Sequence, residues 1–225
     1  MSGVVLTKIY KEPMFDMQEI LRYCGCGKDG SEFLPLVNEC IEECREKLIY
    51  KVCYCEFPVN HGNGETDLSF MTTKSKNLDK NLEDCEKIVL FAATVGFEID
   101  RLIAKYGRIS PSKALVFQAI GAERIESLCN AFNDDVKSEF MQQNLYTRPR
   151  FSPGYGDFPL EAQRDIFRVL DCPRKVGISL NESLLMSPSK SVTAIIGISS
   201  KCGIEKKNSC TECTKTDCKF RSVEK

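Results

Sequence analysis

Residues 87–96, Lys-Ile-Val-Leu-Phe-Ala-Ala-Thr-Val-Gly, are the most apolar run in the chain, and what they can become limits everything around them. The run is short and rich in β-branched side chains, so it reads as a buried central strand closed by Gly96. A helix is expected over 97–106, ended by Gly107. Ser110-Pro111 then offers an N-cap residue followed by proline at the first helical position. The helix it opens reaches to about residue 143, with Ala114, Leu115, Phe117, Ala119, Ile120, Ile125, Leu128, Phe132, Val136 and Phe140 as its buried stripe. That helix is the spine of the expected domain.

The flanking segments alternate irregularly. Residues 4–10 suit a short strand, Pro13 interrupts, and 16–23 suit a helix ended by Gly25 and Gly27. From 31 to 50, Phe33, Leu36, Val37, Cys40, Ile41, Cys44 and Leu48 recur at helical spacing, which predicts an amphipathic helix across that stretch. A strand is expected over 51–59. His61-Gly62-Asn63-Gly64 turns the chain into a second extended piece at 67–71. Further on, 160–170 reads as an amphipathic helix, Pro173 opens a short turn ending at Gly177, and 191–198 alternates as a strand. With no regular βαβ beat, the order predicts an α+β fold with a mainly antiparallel sheet. Gly25-Cys26-Gly27 and Gly154-Tyr155-Gly156 do not complete G-x-G-x-x-G after a strand, so no dinucleotide site is expected.

Composition removes several function classes. With 31 basic and 32 acidic residues and a formal charge of -1, the chain has no general grip on nucleic acid or anionic lipid. No run of 18 apolar residues and no signal-like N-terminus is seen, so neither a membrane span nor secretion is expected, and the chain is placed in the cytoplasm. His61 is the sole histidine, which excludes a histidine-based metal site and leaves a catalytic His61 unsupported. Of 13 cysteines, Cys24, Cys26, Cys40, Cys44, Cys53, Cys55, Cys85, Cys129 and Cys172 are dispersed among apolar residues, where free Cys acts as a small hydrophobe.

Residues 148–159, Arg-Pro-Arg-Phe-Ser-Pro-Gly-Tyr-Gly-Asp-Phe-Pro, form a loop with a fixed shape, because each proline sets φ and each glycine permits positive φ. Arg150 offers a planar fork suited to a carboxylate, and Tyr155 a flat ring with a polar tip. Arg150-x-x-Pro153-Gly154-Tyr155, followed by Gly177-x-x-Leu180-x-Glu182-Ser183-x-x-Met186-x-Pro188 and Ser191-Val192, resembles the activation domain of vitamin B12-dependent methionine synthase. Ile20-Leu21-Arg22-Tyr23-x-Gly25 and the helix after Ser31 look like stand-alone members of that family, so the resemblance spans most of 15–200.

The resemblance implies a bent sheet flanked by helices over residues 1–200, binding S-adenosylmethionine through Arg150, Ser152, Pro153, Gly154 and Tyr155. It implies that Glu182, Ser183 and Met186 shape a cobalamin-facing side. It also implies a partner, a cobalamin-binding methionine synthase or other corrinoid protein, with a reductant such as flavodoxin. No catalytic acid or base is expected of this chain, because the partner's cobalt is the nucleophile that takes the methyl group. Two departures stand out. Lys201-Cys202-Gly203-Ile204 replaces an aromatic pair of the large enzymes, and Ser127, with Glu126 beside it, falls where they have an acidic residue.

Residues 201–225 form a cysteine-rich tail in which Cys202, Cys210, Cys213 and Cys218 meet the ligand count for tetrahedral zinc or an iron–sulfur cluster. Two other readings stay open: a corrinoid-protein adaptor or chaperone with the same fold and no ligand, and a metal-binding redox protein centred on the tail.

Overall fold

The computed structural model describes residues 3–26, 30–62 and 64–202. In chain order the elements are β1 (Leu6–Tyr10), α1 (Met17–Tyr23), α2 (Leu34–Cys44), β2 (Tyr50–Pro58), β3 (Asn60–Gly62), β4 (Glu65–Asp67) and β5 (Thr72–Thr73). They continue with α3 (Lys76–Asn81), β6 (Cys85–Thr94), α4 (Glu98–Ile109), α5 (Pro111–Met141), β7 (Tyr146–Thr147), α6 (Ala162–Leu170), α7 (Cys172–Lys175), β8 (Ser179–Leu180), β9 (Met186–Ser187) and β10 (Ser191–Ser199).

The apolar run becomes β6, the middle of an antiparallel sheet ordered β1-β2-β6-β10-β7. Alternation along the strands feeds two cores. Val52, Val89, Phe91, Ala93, Ala194 and Ile196 face the layer built by α1, α2, α4 and α5. Cys53, Cys55, Leu90, Ala92 and Ile195 face α3, α6, α7 and the 151–158 loop. Helices on both faces of an antiparallel sheet make the fold α+β, as the sequence order predicts. Phe91 and Phe132, both buried, meet at a ring-centroid distance of 4.8 Å, and Tyr54 meets Phe132 at 5.2 Å. Each such burial contributes about 1.5–3 kcal/mol.

Local departures from the expectations have local causes. The helix expected over 31–50 begins as a 3-10 turn at Gly30–Phe33 and stops at Cys44, because Arg45 leaves helical ψ and Glu46 takes φ 65°. Gly107 lies inside α4, which continues to Ile109. Leu115 is 48% exposed and lies outside the buried stripe of α5. Ser110 occupies the N-cap position of α5, but its hydroxyl meets Ser112 Oγ (3.3 Å) and makes no cap bond. The second extended piece is β4, ending at Asp67. Helix α3 carried no periodicity strong enough to be foreseen. Its start is fixed from outside: Ser75 caps it, and Asp157 of the distant loop accepts from Ser75 Oγ (2.5 Å), Lys76 N (2.9 Å) and Asn77 N (3.1 Å).

Seven of the nine dispersed cysteines are buried, and Cys24 and Cys26 are half-buried. Among the described residues no helix is long and apolar enough to cross a membrane.

Candidate functional site

The first residues of the 148–159 loop are held by strand β10. Arg148 N donates to Gly197 O (2.8 Å), and Phe151 and Ile195 exchange backbone bonds (2.9 Å each). Phe151 and Phe158 are buried in the core under α6, and Gly154, Tyr155, Gly156 and Asp157 between them are exposed. Gly154 adopts φ 83°, a left-handed conformation costly for a residue with a Cβ, and its N–H donates to Phe158 O (2.8 Å). Tyr155 N donates to Ser152 O (3.2 Å), Pro153 is buried, and the 65% exposed Tyr155 ring stands edge-on to Phe151 at 5.5 Å. The loop thus displays Tyr155 on a rigid backbone.

Arg150 turns the other way, onto α5. Its Nη2 donates to Glu126 Oε2 in a close ion pair, and its Nη1 donates to Asn130 Oδ1 (2.8 Å). Asn133, with its amide turned to donate to Cys129 O (3.2 Å), presents its oxygen to the same Nη1 (2.8 Å). Glu126, Asn130 and Asn133 recur at helical spacing and so share one face of α5. Ser127 points elsewhere, donating to Glu123 Oε1 (2.6 Å). The acid of the long helix that meets the loop is therefore Glu126. The signal available in the sequence was the polar row at 126, 130 and 133, which leaves the apolar stripe of α5. Beneath it, burial pushes the Cys129 thiol up to about 12, so it stays protonated and inert. Tyr23 of α1 lies beside the same face: burial first, against the opposing charge of Arg22, and then the Glu126 charge raise its pKa.

The second motif folds as the β8–β9 hairpin, with Ser179 opposite Ser187 and Leu180 opposite Met186. Glu182 and Ser183 are exposed at its tip, while Met186 is half-buried against the core. The link from hairpin to loop runs through the chain leading into α6. Arg164 Nη2 donates to Glu182 O (3.3 Å), and Leu160 Cδ1 lies 3.2 Å from where a Cβ on Gly154 would stand. Beyond β10, Lys201 pairs with Asp84 (2.7 Å) and Cys202 is exposed. Cys210, Cys213 and Cys218 lie outside the described residues. Among the described residues, no group of three or more potential ligands could hold a metal.

What this geometry supplies is a guanidinium and a carboxylate on adjoining elements, next to an exposed ring on a loop of fixed shape. A family model described as "Vitamin B12 dependent methionine synthase, activation domain" matches residues 69–203. The chain belongs to this family. The solved structures include the MetH reactivation domain bound to AdoHcy, which is 15% identical in sequence and superposes with a TM-score of 0.67 over 90% of this chain and 80% of that one. At that identity the likeness establishes the shared fold. A search of curated proteins finds no significant match. In this activation-domain chain the family match takes in both the 148–159 loop and the β8–β9 hairpin, whereas β1, α1, α2 and β2 precede it.

Proposed function

We propose that this chain is a stand-alone activation component that binds S-adenosylmethionine and presents its methyl group to the cobalamin of a partner methionine synthase or other corrinoid protein. The observation that carries the reading is the meeting of Arg150 with Glu126 and Asn130 beside the Gly154–Tyr155 turn. A zwitterionic amino-acid moiety needs a fork for its carboxylate and an anion for its ammonium, and Arg150 and Glu126 supply both within one contact. The residues present therefore fit the ligand. The fold neighbour bound to AdoHcy supports the same assignment.

Bound on its partner, the corrinoid supplies the nucleophile that takes the sulfonium methyl, and a reductant such as flavodoxin supplies the electron that readies it. What the chain contributes is position. Arg150 and Glu126 fix the amino-acid end, the loop backbone at Ser152, Pro153 and Gly154 bears on the adenosine, and Tyr155 flanks it. The hairpin residues Glu182, Ser183 and Met186 face the partner's cofactor. The leaving thioether needs no proton, so the chain serves by orientation and exclusion of water, with no acid or base of its own.

In this proposal residues 1–200 act as one domain in the cytoplasm, and the 201–225 tail binds one zinc ion or iron–sulfur cluster through Cys202, Cys210, Cys213 and Cys218. The test is calorimetry with S-adenosylmethionine, with and without a cobalamin-loaded partner. Saturable binding that tightens with the partner is expected. Binding of the partner without the ligand would turn the reading to a corrinoid-protein adaptor, which the Lys201-Cys202 departure favours.

A further inference from the structure

A second concavity lies away from Arg150. Thr94 pairs with Ser191 at one end of β10, whereas Phe151 meets the same strand at Ile195, four residues on and about 13 Å away at strand spacing. Arg150 faces α5, but Thr94 and Lys51 occupy the alternate positions of their strands, on the face that α7 covers. The cleft there has a volume of about 320 Å³, and Val176, Gly177 and Pro188 are among the residues that line it.

Its charge is one-sided. Lys47, Lys51 and Arg101 line it together with a single carboxylate, Glu98. Glu98 is shared at long range between Lys47 (4.0 Å) and Arg101 (3.8 Å), and no carboxylate among the described residues pairs with Lys51. The cleft therefore carries a surplus of two positive charges. Phe97 and Ile49, 47% and 49% exposed, add apolar surface to its lining. The backbone opens the space further, since Gly177 at φ 76° would meet nothing within 4 Å even with a Cβ.

We propose that this cleft binds a phosphomonoester, its dianion among Lys47, Lys51 and Arg101 and its apolar body against Phe97 and Ile49. A dianion matches the surplus of two charges, and three donor side chains suit three phosphate oxygens. A carboxylate or a phosphodiester leaves one charge uncompensated. The volume is at the lower end of small-molecule sites, so the body is about one ring in size. This site is independent of the S-adenosylmethionine reading.

The test uses phenyl phosphate as probe, titrated at constant ionic strength and followed by calorimetry and by amide chemical shifts. One-to-one saturable binding is expected, displaced by inorganic phosphate, with benzoate and methyl phenyl phosphate at least tenfold weaker. Lys51→Met and Arg101→Met should each weaken phenyl phosphate at least fivefold, and Glu98→Gln should tighten it. Lys80→Met, on α3, controls for bulk charge and should leave it unchanged. Arg101 and Lys80 are exposed and Lys51 and Glu98 half-buried, and unchanged circular dichroism confirms folding. Absence of saturation, equal affinity for the diester, or an equal loss in Lys80→Met overturns the proposal.

Discussion

Arg150→Ala separates ligand recognition from folding. In the structure the guanidinium spends one nitrogen on Glu126 and one on Asn130 (2.8 Å), and its side chain is 23% exposed. Its five N–H donors exceed those contacts, so a ligand carboxylate can be met without dismantling them. Removing a charge-assisted, forked contact costs about 1.5–3 kcal/mol, which is a loss of about 10- to 150-fold in affinity for S-adenosylmethionine. Stability should hardly change, because Glu126 is 44% exposed and an ion pair open to solvent contributes at most about 1 kcal/mol. Arg150→Lys keeps the charge but loses the planar fork, and should recover only part of the affinity. Calorimetry gives the affinities and thermal unfolding the stability. Wild-type affinity in Arg150→Ala refutes the carboxylate role. A large fall in melting temperature makes Arg150 a structural residue and refutes the separation.

Three more outcomes are expected. Gly154→Val puts a branched side chain at φ 83° and against Leu160 at 3.2 Å, so it should abolish ligand binding and lower stability by about 1–3 kcal/mol, read by calorimetry and urea titration. Phe132→Ala empties the space between Phe91 and Tyr54 in the buried core and should cost about 3–5 kcal/mol in the same titration. The Ser75 hydroxyl first, and then the Lys76 and Asn77 amides, hold the Asp157 carboxyl below its ordinary value of 3.8. A depressed pKa adds stability above the unfolded value and loses it as pH falls through the folded one. The tie between loop and α3 should therefore weaken below about pH 4, and Asp157→Asn should flatten that part of the urea midpoint against pH.

Legibility followed how local the cause was. The β6 strand, the α5 spine and the amphipathic α6 were readable because burial imposes a period on the side chains of one segment. Helix α3 was not, since its start depends on Asp157, remote in sequence. The end of α2 was missed because Glu46 at φ 65° breaks a pattern that Leu48 continues. At the candidate site, Arg150, Gly154 and Tyr155 belong to one short motif, so the sequence brings them together. Their counterpart Glu126 could not be assigned, because one step along a helix turns a side chain by a wide angle and alignment alone cannot choose between Ser127 and Glu126. In the structure Ser127 goes to Glu123, and Glu126 is the one of the two that meets Arg150.

The family match begins at residue 69, yet the helix that holds Arg150 also packs against residues before it. Arg124, fully buried, donates to Glu123 (2.6 Å), to Pro13 O (2.5 Å) and to Met14 O (2.7 Å), and its guanidinium lies 3.8 Å from the Phe15 ring centroid. Glu123 in turn accepts from Asp16 N (3.2 Å). A buried charge is tolerated only when every donor and acceptor is met, so this pair clamps the chain from Pro13 to Asp16 onto α5. Glu126 follows on the next residues of the same helix, with Tyr23 of α1 beside it. The segment between β1 and α1 is thereby tied to α5 about one turn before Glu126 and Asn130 meet Arg150. The packing around α5 extends back at least to the clamp, although the family match, which begins at residue 69, does not.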